Sequence, residues 1–116
     1  MTISRIDIGP RMSQAVVHGD TVYLAGVVAQ DAPGASIADQ TRAILARIDD
    51  LLAQAGTDKS KLLTATLWIT DMRYFAEMNS VWDAWVDPAN PPCRACVEAG
   101  LAATDFNVEI MVVAAR

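Results

Sequence analysis

The sequence of 116 residues predicts one α+β domain, residues 1–116, in which two helices cover one face of a mixed β-sheet. Apolar residues recur at helical spacing in two segments and alternate at strand spacing in several others, with turn-forming residues between them. Along the chain the order is a strand, a hairpin, a helix, a strand, a helix and two strands. Two helices on one face leave the other face uncovered, so we expect another copy of the chain to cover it.

The N-terminal part of the chain has the pattern of a strand followed by a hairpin. The run "ISRIDI" is a short extended segment that ends at Gly9-Pro10. In "QAVVHGDTVYLAGVV" two β-rich runs flank a turn in which Gly19 supplies the positive φ of a tight hairpin. His18, the only histidine, is therefore expected to be a turn residue rather than a catalytic one.

The first helix is predicted to follow the loop "DAPGAS". Ser36 can cap its N-terminus, with Asp39 three residues further on. Gly56 ends it in the position that a left-handed C-terminal residue takes. The residues at helical spacing form one apolar stripe of Ile37, Ile44, Ile48, Leu51 and Ala55.

A strand and a second helix are predicted from "KLLTATLWITD" onwards. The strand places Leu63, Ala65, Leu67 and Ile69 on one face. Asp71 can cap a helix that runs to about Val86. Its aromatic stripe, which we expect to be core packing, consists of Phe75, Met78, Trp82 and Trp85. After the breaker "DPANPP" two further strands follow, "CRACVEA" and "FNVEIMVVAA".

Charge and hydropathy exclude several classes of function. The formal net charge of −5 argues against nucleic-acid binding, which depends on clustered Lys and Arg. No run of 18 apolar residues predicts a membrane span, and "MTISRIDIGPRMS" lacks the pattern of a signal peptide. We therefore expect a cytoplasmic protein that binds neither nucleic acid nor membranes.

The two cysteines, Cys93 and Cys96, form a Cys-x-x-Cys pattern. In a strand an offset of three places the two sulfurs on opposite faces, too far apart for a disulfide or a shared metal. A zinc site would need further ligands, and His18 is distant in sequence. We expect two reduced thiols and no metal site.

Arg94 is the residue in this segment that demands an explanation. Alternation places Arg94, Cys96 and Glu98 on one face of the strand, and we expect one face to be core while the other carries chemistry or an interface. A guanidinium keeps its charge, so a buried Arg94 needs a carboxylate. An ion pair with Glu98 or Glu109 is one possibility. In the other, Arg94 holds a small carboxylate ligand with a bidentate fork while a glutamate handles a water molecule.

Seven segments in order resemble the RidA/YjgF family of enamine and imine deaminases. They are "GPRMSQAV", "YLAG", "ADQTRAILARIDDLLAQAG", "TATLWITDM", "FAEMNSVWDAW", "PPCRACVEAGLA" and "VEIMVVAA". The resemblance implies a chorismate-mutase-like α+β fold, a homotrimer with pockets at its subunit interfaces, and catalysis without a metal or an organic cofactor. The implied reaction hydrolyses 2-aminoacrylate-type enamino and imino acids to 2-oxo acids and ammonia.

The resemblance also assigns roles to individual residues. Arg94 matches the arginine that binds the substrate carboxylate, and Glu109 matches the glutamate that holds the attacking water. The backbones of Gly26 and Cys96 match parts of the pocket wall, and Asn79 matches a pocket asparagine. All five positions are therefore predicted site residues.

Three positions depart from the family pattern. Met12 stands where a tyrosine is usual, Ala25 where a serine is common and Val27 where a glutamine is common. These replacements predict a more apolar pocket and a changed substrate preference. Two alternatives to a deaminase therefore stay open: a trimeric protein that binds small carboxylic acids without turnover, and a purely structural trimer with Arg94 neutralised in its interface.

Overall fold

A computed structural model describes all residues from 1 to 116. It contains seven strands and two α-helices. In chain order these are β1 (Ile3–Ile8), β2 (Ser13–His18), β3 (Thr21–Leu24), β4 (Val27–Val28), α1 (Ile37–Gln54), β5 (Leu62–Ile69), α2 (Phe75–Trp85), β6 (Cys93–Glu98) and β7 (Val108–Ala115). Two short 3-10 helices precede β5 and α2 at Lys59–Lys61 and Met72–Tyr74.

All seven strands belong to one mixed sheet with the order β1-β2-β3-β7-β5-β6, in which β4 also pairs with β7. Only β5 and β6 run parallel, and the other pairs are antiparallel. Both helices pack on the same face of this sheet, and 24 buried apolar residues form one core between the layers. The predicted α+β class, with two helices on one face of a mixed sheet, is confirmed.

The predicted hairpin and first helix are confirmed. His18 pairs with Thr21 across the turn, and Gly19 has the expected positive φ of 61°. At the start of α1 the Ser36 hydroxyl accepts a hydrogen bond from the Asp39 amide at 3.1 Å. Just beyond its end Gly56 has a φ of 82°, a left-handed conformation that only glycine adopts without strain.

Strand β5 differs from the prediction at its first residues. Leu63 is 46% exposed, while Leu62 is buried beneath the helices. The pairing with β7 shifts register between Leu62 and Thr64, so a β-bulge moves Leu63 away from the core face. From Ala65 onwards the predicted alternation holds, with Ala65, Leu67 and Ile69 buried.

For the second helix, the prediction was wrong in the residue at which the helix starts and in part of the buried stripe. Asp71 caps the 3-10 turn that precedes α2, and its carboxylate accepts from the Arg73 amide at 2.8 Å. Phe75 is 38% exposed rather than in the core. The buried residues of α2 are Met78, Val81 and Trp82, while Trp85 is half-buried.

The second face of the sheet carries exposed apolar side chains. Tyr23, Val97 and Met111 are 48%, 43% and 36% exposed. The strand neighbours of Tyr23 and Met111 are buried on the helix-covered face. Val97 pairs with Trp68 of β5, whose strand neighbours are buried on that same face. We call the second face the open face. Neither helix has the length and apolarity needed to cross a membrane.

Candidate functional site

Arg94 lies on the edge strand β6 and points to the helix-covered side of the sheet. In the parallel register it pairs with Ala65, and Cys96 pairs with Leu67. Paired residues share a face, and both partners in β5 are buried beneath the helices. Arg94, Cys96 and Glu98 therefore lie on the core side, and Cys93, Ala95 and Val97 lie on the open face. The expectation that the face bearing Arg94 is separate from the core was wrong.

Three side chains of α2 contact the Arg94 guanidinium. Its Nη1 donates a hydrogen bond to Asn79 Oδ1 at 2.8 Å. Its central carbon lies 5.4 Å from the ring centroid of Trp82 and 5.9 Å from that of Phe75, within the range of cation–π attraction. The structure thus brings two of the predicted site residues, Arg94 and Asn79, into contact and adds two aromatic contacts that the sequence did not reveal.

No carboxylate pairs with Arg94. The four ion pairs of the chain involve other arginines, namely Arg42, Arg47 and Arg73. Glu98 accepts a hydrogen bond from the Met72 amide at 2.8 Å instead. The internal ion pairs that the sequence left open, with Glu98 or with Glu109, are not formed within the chain, and the Arg94 side chain is exposed.

Cys96 lies beside Arg94 and packs against the edge of the core. Burial raises the pKa of its thiol, and the nearby Arg94 charge opposes part of that rise. Both cysteines are free, in agreement with the expected reduced thiols. No group of three or more His, Cys, Asp and Glu side chains is arranged to hold a metal ion.

Glu109 lies in the interior of the sheet, on strand β7. It pairs with Val28 of β4 and with Trp68 of β5, while its neighbours Val108 and Ile110 are fully buried on the helix-covered side. Glu109 therefore points to the open face. It is half-buried, and its carboxylate accepts no hydrogen bond from the chain. A carboxylate in this state is available to a water molecule or a ligand.

Gly26 lies directly against the Glu109 carboxylate. A Cβ atom at position 26 would overlap with Glu109 Oε2 and come within 3.0 Å of Cδ. Between the pairs Tyr23–Val113 and Val27–Ile110 the β3–β4 segment holds one more residue than β7, so the chain bulges at Gly26. This bulge and the missing side chain give Glu109 the space that it occupies.

The Gly26 and Glu109 pair borders a cleft of about 690 Å³ that Met12 and Gln14 also line. Met12, which replaces the usual tyrosine, is 53% exposed here. Gln14 is a polar residue of the cleft that the sequence pattern did not single out, because it lies in an otherwise ordinary strand. Ala25 is half-buried, and its amide donates to the Gln14 carbonyl at 2.9 Å.

Val27 packs in the core and also lines the cleft beside Gly26 and Glu109. Its side chain is only 6% exposed and packs in the core opposite Ile110. As a valine, it gives this part of the cleft wall an apolar side chain.

The structure assembles the five predicted site residues into two groups, which do not meet within one chain. Arg94, Asn79 and Cys96 lie on the helix-covered side, and Gly26 and Glu109 lie at the open face. Two strand spacings, roughly 10 Å, and three residues of strand length, again roughly 10 Å, separate Arg94 from Glu109. None of the three cavities of the single chain is lined by Arg94.

The fold is a two-layer α+β domain with two helices on one face of a mixed sheet, the architecture of solved YjgF-family proteins. The chain belongs to the YjgF/RidA family, whose model, described as "Endoribonuclease L-PSP", matches residues 2–116.

Relatives and solved structures agree with this assignment. "RutC family protein YoaB" of Escherichia coli strain K12 is 44% identical over 115 residues, covering 99% of each chain. A "RutC family protein" of Haemophilus influenzae is 42% identical over 114 residues, 98% of each chain. A member of the YjgF protein family from Neisseria meningitidis has a TM-score of 0.96 at 42% identity, covering 100% of this chain and 96% of that one.

Proposed function

We propose that the protein hydrolyses reactive 2-enamino and 2-imino acids of the 2-aminoacrylate type to 2-oxo acids and ammonia. The reaction takes place between the subunits of a homotrimer and uses neither a metal nor an organic cofactor. One observation carries the proposal: the Arg94 guanidinium is held by uncharged side chains and has no carboxylate partner.

Arg94 is suited to binding the substrate carboxylate. A guanidinium has five N–H donors in a rigid fork, and only one of them is used, toward Asn79. The rest can donate to both oxygens of a carboxylate, which fixes the ligand in position and in orientation. Since the substrate keeps its carboxylate through the reaction, this contact places the C2 carbon without taking part in bond changes.

Glu109 is suited to handling the attacking water. The water oxygen adds to C2 of the 2-imino acid as the C=N electron pair moves to nitrogen, while Glu109 accepts a proton of the water and passes it to that nitrogen, which gives a neutral carbinolamine. Glu109 then takes the hydroxyl proton of the carbinolamine as the C=O bond forms and returns it to the nitrogen as the C–N bond breaks, which releases the 2-oxo acid and ammonia. An uncommitted carboxylate at the edge of a cleft has the geometry for both proton movements.

The separation of the two groups supports an assembly in which one copy supplies Arg94 and its neighbour supplies Glu109. Within one chain the two residues lie on opposite sides of the sheet and cannot contact the same small molecule. The exposed apolar residues of the open face give a second copy a surface to cover. The trimeric state, like the cytoplasmic location, is an expectation from the sequence.

A non-catalytic binding protein for small carboxylic acids is the second candidate. Met12 and Val27 favour it, because both bring apolar side chains to a cleft where family members commonly carry polar groups. The endoribonuclease of the family model's description receives less support, since a chain of net charge −5 is poorly suited to binding a phosphate backbone.

A coupled assay tests the proposed reaction. A serine dehydratase generates 2-aminoacrylate in the presence of the protein, and formation of the 2-oxo acid is followed against the spontaneous rate. We expect acceleration by the wild-type protein and none by Arg94→Ala. Binding of pyruvate without acceleration would favour the binding protein instead.

Sedimentation equilibrium tests the assembly. We expect a mass of three chains, and a protein that stays monomeric at assay concentration while remaining active would contradict a site shared between subunits.

A further inference from the structure

The contacts of Arg94 with α2 come from a single stripe of the helix. Phe75, Asn79 and Trp82 are spaced by four and three residues, so their side chains point to the same side of α2. That side faces the edge strand β6, where Arg94 projects. The guanidinium therefore meets one amide and two aromatic rings from one rigid element.

The aromatic and amide contacts restrain Arg94 without neutralising it. An aromatic ring attracts the flat face of a guanidinium through its quadrupole, whereas carboxylates bind the N–H groups at its edge. Of the N–H groups at the edge of Arg94, only one is used within the chain, toward Asn79. Arg47 differs from Arg94 because carboxylates neutralise it: Asp7 and Asp50 each accept a hydrogen bond from one of its terminal nitrogens at 3.0 Å.

Trp82 is the more rigid of the two rings. It is only 5% exposed and lies 5.4 Å from the Trp85 ring, whose indole nitrogen donates to Asp49 of α1 at 3.0 Å. Phe75, at 38% exposure, has much less packing around it. Because Trp82 packs in the core on one side and contacts Arg94 on the other, it can restrain the motion of the guanidinium.

We propose that Trp82 is a positioning residue, which holds the Arg94 guanidinium by its face so that its N–H edge stays directed at an incoming carboxylate. The inference deepens the proposed function, since it concerns how the same anion site is kept ready. It assigns no bond-breaking role to Trp82, which lies beneath Arg94 and is nearly inaccessible to a ligand.

The primary test follows Arg94 itself. Nitrogen-15 NMR relaxation of the Arg94 Nε–H group reports the order of the side chain in the absence of any ligand. We expect an ordered group in the wild-type protein and in Trp82→Phe, which keeps a ring, and a mobile one in Trp82→Met, which fills the space without a ring. An equally ordered Arg94 in Trp82→Met would overturn the proposal.

A second measurement covers the case in which Trp82→Met does not fold. A ring-fluorinated tryptophan at position 82 keeps nearly the same shape and weakens the negative face of the ring. We expect greater Arg94 mobility and a Kd for pyruvate that rises about two- to fivefold, the size of a cation–π contact at an exposed site. No change in either quantity contradicts the inference.

Val81→Ala is the matched control. Val81 is 7% exposed on the same helix and is neither a hydrogen-bond partner nor an aromatic partner of Arg94, so this variant loses core packing and keeps the amide and ring contacts. We expect lower thermal stability with unchanged Arg94 order; a mobile Arg94 in this variant would mean that general loosening of α2, not the ring, sets the order. Should pyruvate fail to bind the wild-type protein, the proposed function fails, while the NMR comparison still decides the role of Trp82.

Discussion

The two halves of the candidate site are held in different ways. Arg94 lies on an edge strand, is exposed, and takes its orientation from the side chains of Asn79 and Trp82. Glu109 lies on a strand paired on both sides, between two fully buried neighbours, and takes its space from a main-chain bulge at Gly26. Side chains of α2 thus orient the Arg94 guanidinium, whereas the main chain around Gly26 orients the Glu109 carboxylate.

This difference has a physical consequence for substitutions. A residue held by side chains on an edge can be changed with little loss of folding free energy, because few buried contacts depend on it. A residue set into the interior of a sheet shares its geometry with both neighbouring strands. The following variants separate the two halves by function and by stability.

Among variants that keep ligand binding intact, the largest effect is expected from Glu109→Gln. The amide keeps the size of the side chain and loses the ability to accept a proton from water, so turnover of 2-aminoacrylate should fall about 10²- to 10⁴-fold. Pyruvate binding, measured by calorimetry, should change little, because Arg94 is intact. Undiminished turnover in Glu109→Gln would remove the glutamate from the mechanism.

Arg94→Ala should weaken pyruvate binding about 100-fold, the loss expected for two hydrogen bonds to a charged group. Its melting temperature should change little, since Arg94 makes no ion pair that would leave a carboxylate unpaired in the core. Arg94→Lys keeps the charge without the fork of N–H donors, and its affinity for pyruvate should lie between those of the wild-type protein and Arg94→Ala. A sharp drop in stability for Arg94→Ala would favour the purely structural trimer.

Local patterns in the sequence predicted most of the elements. The stripe of α1, its Ser36 cap and the turn at Gly19 depend on residues close together in the chain, and all three are as expected. Leu63 departs from its pattern because a bulge against β7 sets the register, and a partner strand almost fifty residues away is not visible in local alternation. Asp71 gave the signal of a helix cap, which a 3-10 turn satisfies equally well.

The site was less predictable than the fold, for a related reason. Alternation grouped Arg94 with Cys96 and Glu98 correctly, but it could not tell which face the helices cover. That depends on the parallel pairing with β5, a long-range contact. Residue chemistry alone also left the ion pair of Arg94 open, and the structure shows an amide and two aromatic rings in its place.

Gly26→Ala tests the main-chain half of the comparison. The added Cβ would overlap with Glu109 Oε2 and turn the carboxylate away. Because a general base contributes about 10²- to 10⁴-fold to a rate, we expect turnover to fall about tenfold or more. Gly100→Ala is the matched control, because a Cβ at Gly100 meets no atom within 4 Å. Equal turnover in the two variants would show that Glu109 does not depend on the space at Gly26.

The smallest effect is expected at Cys96, which reports on the charge of Arg94. Burial raises the pKa of this thiol, while Arg94 stabilises the thiolate and offsets part of the rise. Alkylation by iodoacetamide requires the thiolate. Its pH profile at Cys96 should therefore lie at higher pH than in the urea-unfolded chain. Arg94→Gln removes the charge with less change in size and should move the profile higher still. A profile that moves to lower pH in Arg94→Gln would mean that the guanidinium raises the pKa of the thiol, by shielding it from solvent, more than it lowers that pKa by stabilising the thiolate. The charge of Arg94 would then not be its main effect on Cys96.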